Sequence, residues 1–112
     1  MKKFVICAAV LLLAAGCAKR PDEIMATPVS ADPYMQMDCA QLSQLKMQKD
    51  AELAKLEKEQ NQIAEHDAAS MAVIHVPISK VNGADKSEEL ARAKGEAQAV
   101  GSAYQSKNCA AG

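Results

Sequence analysis

The feature that most limits the fold of this chain is an interruption that separates two stretches with a helical pattern of apolar residues. Pro77 cannot continue a helix, and Asn82-Gly83 is typical of a turn. Before this interruption, from Cys39 to about His66, apolar residues follow a 3.6-residue period. The residues of this stripe are Cys39, Leu42, Leu45, Leu53, Leu56, Ile63 and Ala64, and three polar residues, Lys46, Lys49 and Gln60, interrupt it.

A second helix is predicted from Asp85 to Cys109. Asp85 and Glu88 have the spacing of a capping box at its start. A coiled-coil type of seam follows at alternating spacings of three and four, formed by Leu90, Ala93, Ala97, Val100 and Tyr104. Gly95 lies away from this seam, and either simple tolerance of a glycine or close approach by another chain would explain it. The sequence therefore predicts an all-α fold, an antiparallel, coiled-coil-like two-helix hairpin over residues 37–112.

Two cysteines bracket the predicted hairpin. Bridged cysteines need Cα atoms about 5.5–6 Å apart, which the open end of a hairpin allows only when its arms are of similar length. Cys39–His66 and Asp85–Cys109 would be about 42 and 38 Å long at 1.5 Å per residue. Large aromatic side chains are nearly absent, so two helices alone would bury little apolar area. The sequence predicts a disulfide between Cys39 and Cys109.

The N-terminus has the pattern of a secretory leader. Lys2 and Lys3 precede an apolar run, Phe4–Ala15, which is shorter than the roughly 20 residues that span a bilayer. The run ends Leu-Ala-Ala-Gly-Cys at residues 13–17, which resembles the lipobox of bacterial lipoproteins. This resemblance implies cleavage between Gly16 and Cys17, with diacylglycerol on the Cys17 sulfur and an acyl chain on its amino group. The alternatives are an ordinary signal peptide with an unmodified cysteine, or a signal anchor.

A lipidated Cys17 would anchor the chain to a membrane, facing the periplasm. By the usual sorting rule of enteric bacteria, aspartate after the lipidated cysteine retains a lipoprotein in the inner membrane. Ala18 at this position therefore implies the outer membrane, with the inner membrane as the alternative. An oxidising compartment suits a disulfide. The membrane lipid is then a partner through the acyl chains, and no cofactor is expected besides the covalent lipid on Cys17.

Residues 17–36 are predicted to be the lipidated cysteine and a flexible tether, after a signal peptide over residues 1–16. Pro21, Pro28 and Pro33 exclude a long helix there. A flexible chain of this length would reach roughly 25 Å. The alternative is that its apolar residues dock against the hairpin; these residues are Ile24, Met25, Tyr34 and Met35.

The segment between the arms is unusually apolar for a hairpin end, especially Met71–Ile78. In one interpretation the first helix continues to about Val76 and the segment folds back on its own seam. In the other interpretation the apolar residues are exposed and contact lipid or a partner protein.

The arrangement resembles an uncharacterised family of small proteobacterial lipoproteins. The matching features are Pro33-Tyr34, Cys39 with Gln41-Leu42, Gln60, Asp67, Val76-Pro77-Ile78-Ser79 with Gly83, the run from Glu89 to Glu96, and Lys107-Asn108-Cys109. They cover nearly the whole chain after residue 16. The resemblance implies architecture and location, and it implies no activity.

Several classes of function are disfavoured by the sequence. Lys2 and Lys3 would be removed with the predicted leader, which leaves 11 basic and 14 acidic side chains and a net charge of −3. A negative net charge does not favour binding to nucleic acid. No catalytic triad, glycine-rich phosphate loop or CxxC pair is present. His66 and His75 are spaced poorly for a metal site and are better explained as surface residues. No catalytic residue, metal site or small-molecule substrate is therefore expected.

We expect a non-enzymatic, membrane-anchored interaction or structural module of the cell envelope. Its partner would be an envelope protein or a second copy of the chain. The alternatives are a small inhibitory or exclusion lipoprotein, and a lipoprotein that perturbs membranes through Met71–Ile78.

Overall fold

The computed structural model describes residues 17–111, and these residues contain helices and no strand. The α-helices are α1 (Asp32–Met35), α2 (Cys39–Ile74), α3 (Ile78–Asn82) and α4 (Ser87–Ser106), and short 3-10 helices lie at Pro21–Glu23 and Cys109–Ala111. The predicted all-α fold is confirmed. The predicted signal peptide lies outside the described residues.

Helices α2 and α4 pack against each other in antiparallel orientation. Two ion pairs show their register: Lys49 Nζ lies 2.6 Å from Glu96 Oε2, and Lys86 Nζ lies 3.1 Å from Glu59 Oε2. Helix α4 therefore pairs only with the first part of α2. We call residues 39–60 together with α4 the stem.

A disulfide closes the open end of the stem. Cys39 and Cys109 are bonded, with Cα atoms 5.3 Å apart, and the predicted pairing is confirmed. The predicted arm lengths are less accurate, because α2 continues well past His66 to Ile74. The two arms still match in length near the disulfide, because α4 pairs only with the first part of α2.

The apolar core of the stem lies near the disulfide. Leu42, Val100 and Ala103 form a fully buried cluster, and the partly buried residues packed on it are Tyr34, Met37, Leu45, Tyr104 and Cys109. Helix α4 buries more of its surface than the predicted seam, namely Leu90, Ala93, Gly95, Ala99, Val100 and Ala103. The predicted seam lacks three of these buried residues because residues 18–36 also cover α4, and two of its members, Ala97 and Tyr104, are only half-buried.

The helix starts differ from the prediction. At the start of α2, the Asp38 side chain accepts a hydrogen bond from the Gln41 amide at 2.8 Å, and the Gln41 side chain accepts one from the Asp38 amide at 3.1 Å. This capping box was not predicted. The capping box predicted for Asp85 and Glu88 is wrong, because α4 begins at Ser87 and its N-cap residue makes no side-chain cap bond.

Beyond the stem, α2 no longer pairs with α4 and continues to Ile74, where the short helix α3 packs against it. The helix stops at His75, which adopts a left-handed conformation (φ 60°) two residues before Pro77. The chain then turns back through α3, and the Ser70 hydroxyl donates a hydrogen bond to the Val76 carbonyl. We call residues 61–86 the tip.

The predicted flexible tether is instead a packed segment. Residues 18–36, which we call the strap, run from the tip along α4 to the disulfide end of the stem. Ala18 and Ile24 are buried, and Tyr34 of α1 packs on the stem core. The alternative interpretation, docking, holds for Ile24 and Tyr34, whereas Met25 and Met35 are exposed. The prolines exclude a long helix without making the chain loose.

Candidate functional site

Cys17, the predicted lipidation site, is the first described residue and lies at the tip. It is half-buried and is not in a disulfide. It lines a shallow depression together with Ala64 and Ala68 of α2. The other residue of the predicted cleavage site, Gly16, lies outside the described residues. Because the next residue is buried, the position of Cys17 is set by the contacts that follow it in the strap.

A buried carboxylate holds the strap beside Cys17. Asp67 has no exposed surface, although it lies in the part of α2 beyond the stem. Its Oδ2 accepts the Ala18 amide at 2.8 Å and the Ser79 hydroxyl at 2.5 Å, and its Oδ1 accepts the Ser79 amide at 2.8 Å. One side chain therefore joins the start of the strap, α2 and α3.

The hydrogen bonds decide the ionisation of this carboxyl. Burial by itself would raise the pKa of Asp67. The bonds from the Ser79 hydroxyl, the Ser79 amide and the Ala18 amide act in the opposite direction, and the pKa of Asp67 is lowered from its ordinary value. Asp67 is thus an ionised acceptor whose charge is satisfied within the protein.

A second buried polar residue, Gln60, joins the same elements at the boundary of stem and tip. Its amide nitrogen lies 2.8 Å from both the Lys19 carbonyl and Asp85 Oδ1, and 3.3 Å from the Ser87 hydroxyl. Its amide oxygen accepts the Lys86 amide at 2.9 Å. Gln60, one of the three polar residues that interrupt the apolar stripe, therefore links the strap, α2 and the start of α4.

Asp85 takes its partners from this network rather than from a capping box. Its Oδ1 accepts the Ser87 hydroxyl at 2.6 Å and the Ser87 amide at 3.2 Å. Burial would raise the pKa of Asp85, but the hydrogen bonds from Ser87 and Gln60 lower it from its ordinary value.

Backbone groups of the strap bind along α4. The Thr27 amide donates to the Ala91 carbonyl at 2.9 Å. The Lys94 ammonium donates to the Ile24 carbonyl at 2.8 Å and also to the Pro21 carbonyl. The strap thus satisfies its carbonyls with a lysine of the stem.

Gly95 makes room for the strap. A Cβ at this position would lie 1.8 Å from the Thr27 carbonyl oxygen and 2.9 Å from Val29 Cγ2. Neither expected explanation of Gly95 is right, because the approaching segment belongs to the same chain. A glycine is needed here for close approach, not for its backbone freedom.

The strap ends beside the disulfide. The Lys107 ammonium donates to the Met35 carbonyl at 3.1 Å and to the Met37 carbonyl. Asn108, between this lysine and Cys109, has a left-handed backbone (φ 54°). The strap is therefore tied at both ends, by Asp67 at the tip and by Lys107 at the stem.

The tip carries a group of exposed apolar side chains. Among the described residues eight large hydrophobic side chains are exposed, and five of them lie within residues 73–81: Val73, Ile74, Val76, Ile78 and Val81. Both interpretations of this segment are partly right. The helix does continue, nearly as far as expected, and α3 does fold back. The fold-back is held by Ser79 and Asp67, and the apolar residues stay outside.

The two histidines lie apart from these networks. His66 and His75 are both exposed, and His75 caps α2. Over residues 17–111 no three His, Cys, Asp or Glu side chains are grouped as metal ligands.

Sequence reasoning found the disulfide but did not identify the residues that hold the strap. Gln60 and Asp67 had a usable signal, because they lie about five and seven helical turns after Leu42 on the same face of α2. Gly95 had one too, as a glycine inside a helix. Ser79 gave no signal, because a lone serine after a proline fits any turn.

Comparisons with protein-family models, with curated protein sequences and with solved structures give no match. Within the part of the chain that the structure describes, no helix has the length and apolar character needed to cross a bilayer.

Proposed function

We propose that this chain is a bacterial lipoprotein, anchored by acyl chains on Cys17 to a membrane facing the periplasm. It belongs with the small proteobacterial lipoproteins that its motifs resemble, and acts as a non-enzymatic interaction or structural module of the envelope. The observation that carries the proposal is the apolar leader that ends in Leu-Ala-Ala-Gly-Cys at residues 13–17. The expected membrane is the outer one, because Ala18 follows the cysteine.

The disulfide supports an extracytoplasmic location. Protein disulfides persist in oxidising compartments such as the bacterial periplasm. The bond between Cys39 and Cys109 joins two residues 70 positions apart and holds the whole hairpin closed. Such a bond stabilises a chain of this size, whose core contains few large side chains.

The use of the buried polar groups supports a non-enzymatic role. Asp67, Gln60 and Ser79 are the buried polar residues of the described chain. Gln60 and Asp67 bond to the strap, Ser79 bonds to Asp67, and no buried side-chain polar atom of the described residues is left without a partner. These buried polar side chains thus hold the segments of the protein together.

Intact-mass analysis of the protein purified from membranes tests the anchor. We expect a chain that begins at Cys17 and carries the mass of a diacylglycerol and a further acyl chain. Reduction should add the mass of two hydrogen atoms, which reports the single disulfide. A chain that starts at Cys17 without acyl mass would contradict the proposal.

The control is Cys17→Ser, which removes the thiol and leaves both the leader and the disulfide. We expect it to stay unprocessed and to lack the acyl mass. If Cys17→Ser is processed and held at the membrane as the unaltered protein is, the proposed anchor is wrong.

The interaction role is tested by crosslinking in intact cells, followed by capture of the acylated protein from solubilised envelopes. A defined partner should be lost when Cys39→Ser opens the stem and retained in an exposed-surface variant such as Gln44→Ala. Repeated capture of no partner, with acylation demonstrated, would contradict the interaction role but not the anchor.

A further inference from the structure

The exposed apolar residues of the tip lie at one end of the molecule. Val73 is 78% exposed and Ile74 is 59% exposed, although both belong to the longest helix. Monomeric soluble surfaces rarely group apolar side chains in this way, whereas single exposed ones are common. The tip therefore presents a surface that requires an occupant.

The start of the strap shares that end. Asp67 binds both the Ala18 amide and the Ser79 hydroxyl through one oxygen, so these two groups lie no farther apart than the two hydrogen bonds together. Ser79 belongs to α3, whose neighbouring side chains Ile78 and Val81 are exposed. Cys17 is thus next to the apolar tip and is not connected to it by a loose linker.

The charges of the tip suit a bilayer surface. Residues 68–84 contain Lys80 and no aspartate or glutamate. Lys19 and Arg20, the charged residues nearest Cys17 in the strap, add two exposed cations, and the exposed carboxylates Asp22 and Glu23 follow farther from Cys17. Of the carboxylates of the tip, Asp67 is buried, Asp85 is bonded to Ser87 at the surface, and Glu65 is exposed at the side nearer the stem. Basic residues around an apolar surface favour anionic lipid headgroups.

We infer that the tip rests on the lipid bilayer beside the acyl chains of Cys17, so that the stem stands away from the membrane with its disulfide outermost. This inference rests on the proposed anchor at Cys17. With the strap packed, acyl chains on Cys17 bring the tip to the membrane before any other part of the described chain. Ile74 lies seven residues beyond Asp67 in α2, about 10 Å along the helix axis. In this orientation Ile74 lies at the boundary between the lipid headgroups and the acyl chains.

A single tryptophan at the tip can measure this contact, because the chain contains no tryptophan of its own. The protein is acylated Val73→Trp in vesicles of phosphatidylethanolamine and phosphatidylglycerol that contain brominated phosphatidylcholine. We expect strong quenching by the bromine atoms and a blue-shifted emission. The depth from bromines at different acyl positions should be about 5–10 Å below the headgroups.

The matched control is Met47→Trp, in the same helix. Met47 is 71% exposed, close to the exposure of Val73, and lies in the stem about 39 Å away at 1.5 Å per residue. We expect emission typical of water and little quenching there. Because both positions are exposed, both variants should keep the helicity and the disulfide of the unaltered protein, which circular dichroism and intact mass verify.

Quenching at Val73→Trp alone supports the inference, and Ile74→Asp in that variant should reduce the quenching several-fold. Equal quenching at both positions, or none at Val73→Trp, overturns it. A blue shift that grows with protein density, without bromine quenching, overturns it in favour of tip-to-tip contact between two copies. The intact mass of the same sample separates the two proposals: a chain without acyl mass contradicts the anchor, whereas an acylated chain with an unquenched tip contradicts only the inference made here.

Discussion

The stem and the tip are built in opposite ways. In the stem, apolar residues such as Leu42 and Val100 lie inside, and charged residues such as Lys49 and Glu96 lie near the surface. In the tip, Asp67 and Ser79 are inside, while apolar residues lie outside. A covalent bond closes the stem, whereas hydrogen bonds to one carboxylate close the tip. This inverted arrangement suits the contact with lipid that we infer for the tip.

The comparison first predicts that the stem depends on its disulfide more than on any other single interaction. Cys39→Ser should lower the free energy of unfolding by about 4 kcal/mol, because a bond across roughly 70 residues restricts the unfolded chain strongly. Urea unfolding followed by circular dichroism measures the change. Cys17→Ser, which touches no disulfide, should leave the unfolding free energy unaltered, and a loss below about 1 kcal/mol for Cys39→Ser would contradict this account of the stem.

The tip should depend on the charge of Asp67. Asp67→Asn replaces one of its two acceptor oxygens with a donor that faces donors, and it should cost about 3 kcal/mol. Hydrogen exchange of the Ala18 and Ser79 amides should accelerate, while the stem amides stay protected relative to global unfolding. Asp22→Asn, at an exposed position of the strap, is the matched control and should change little.

The same carboxyl should make stability depend on pH. The pKa of Asp67 is lower in the folded protein than its ordinary value, so the unfolded chain binds more protons in this range and stability rises with pH. The contribution of Asp67 is complete above about pH 4 and is lost as the pH falls through the folded value. Asp67→Asn should reduce the loss of unfolding free energy that occurs as the pH falls below about 4. Urea unfolding at a series of pH values in this range measures it. An acid limb of unchanged slope in the variant would contradict the ionised state of Asp67.

The strap is tested by two glycines of the same helix. Gly95→Ala should destabilise the protein by about 1–2 kcal/mol, since the new methyl group would collide with the Thr27 carbonyl. Gly101→Ala meets nothing within 4 Å and should stabilise it by about 0.5–1 kcal/mol, the usual gain in a helix. Thermal unfolding of the pair gives both values. Equal stabilisation by both changes would show that the strap does not lie against Gly95.

The smallest effect should come from the surface of the stem. Lys49 and Glu96 form a partly exposed ion pair across the helices, and the hydrogen bond to Glu96 raises the pKa of Lys49. Glu96→Gln should cost about 0.2–1 kcal/mol, and less at high salt. Urea unfolding at two salt concentrations measures it. A cost as large as that of Asp67→Asn would remove the contrast between stem and tip.

The stem could be predicted from the sequence because its determinants are periodic. The spacing of Leu42 and Leu90 with their neighbours gives the helices, and two cysteines at matching distances give the bond. The end of α2 was harder, since residues 67–74 contain no helix breaker and only Pro77 limits the helix.

The strap could not be predicted because backbone groups hold it. The carbonyls of Lys19, Ile24 and Met35 are acceptors that every residue type has, so the sequence does not mark them. Two residues beside the strap are distinctive. Gln60, which binds the Lys19 carbonyl, is a polar residue on an apolar stripe, and Gly95, which the strap approaches closely, is a glycine within a helix.

The packed strap also determines how far the disulfide end lies from Cys17. A loose chain would let that distance fluctuate and grow with the square root of its length, but the strap leaves no slack between Cys17 and α2. The distance between Cys17 and the disulfide is therefore fixed by the length of α2. Residues inserted into the strap would form a bulge without adding reach, whereas one matched turn added to both α2 and α4 would move the disulfide outward by about 5.4 Å.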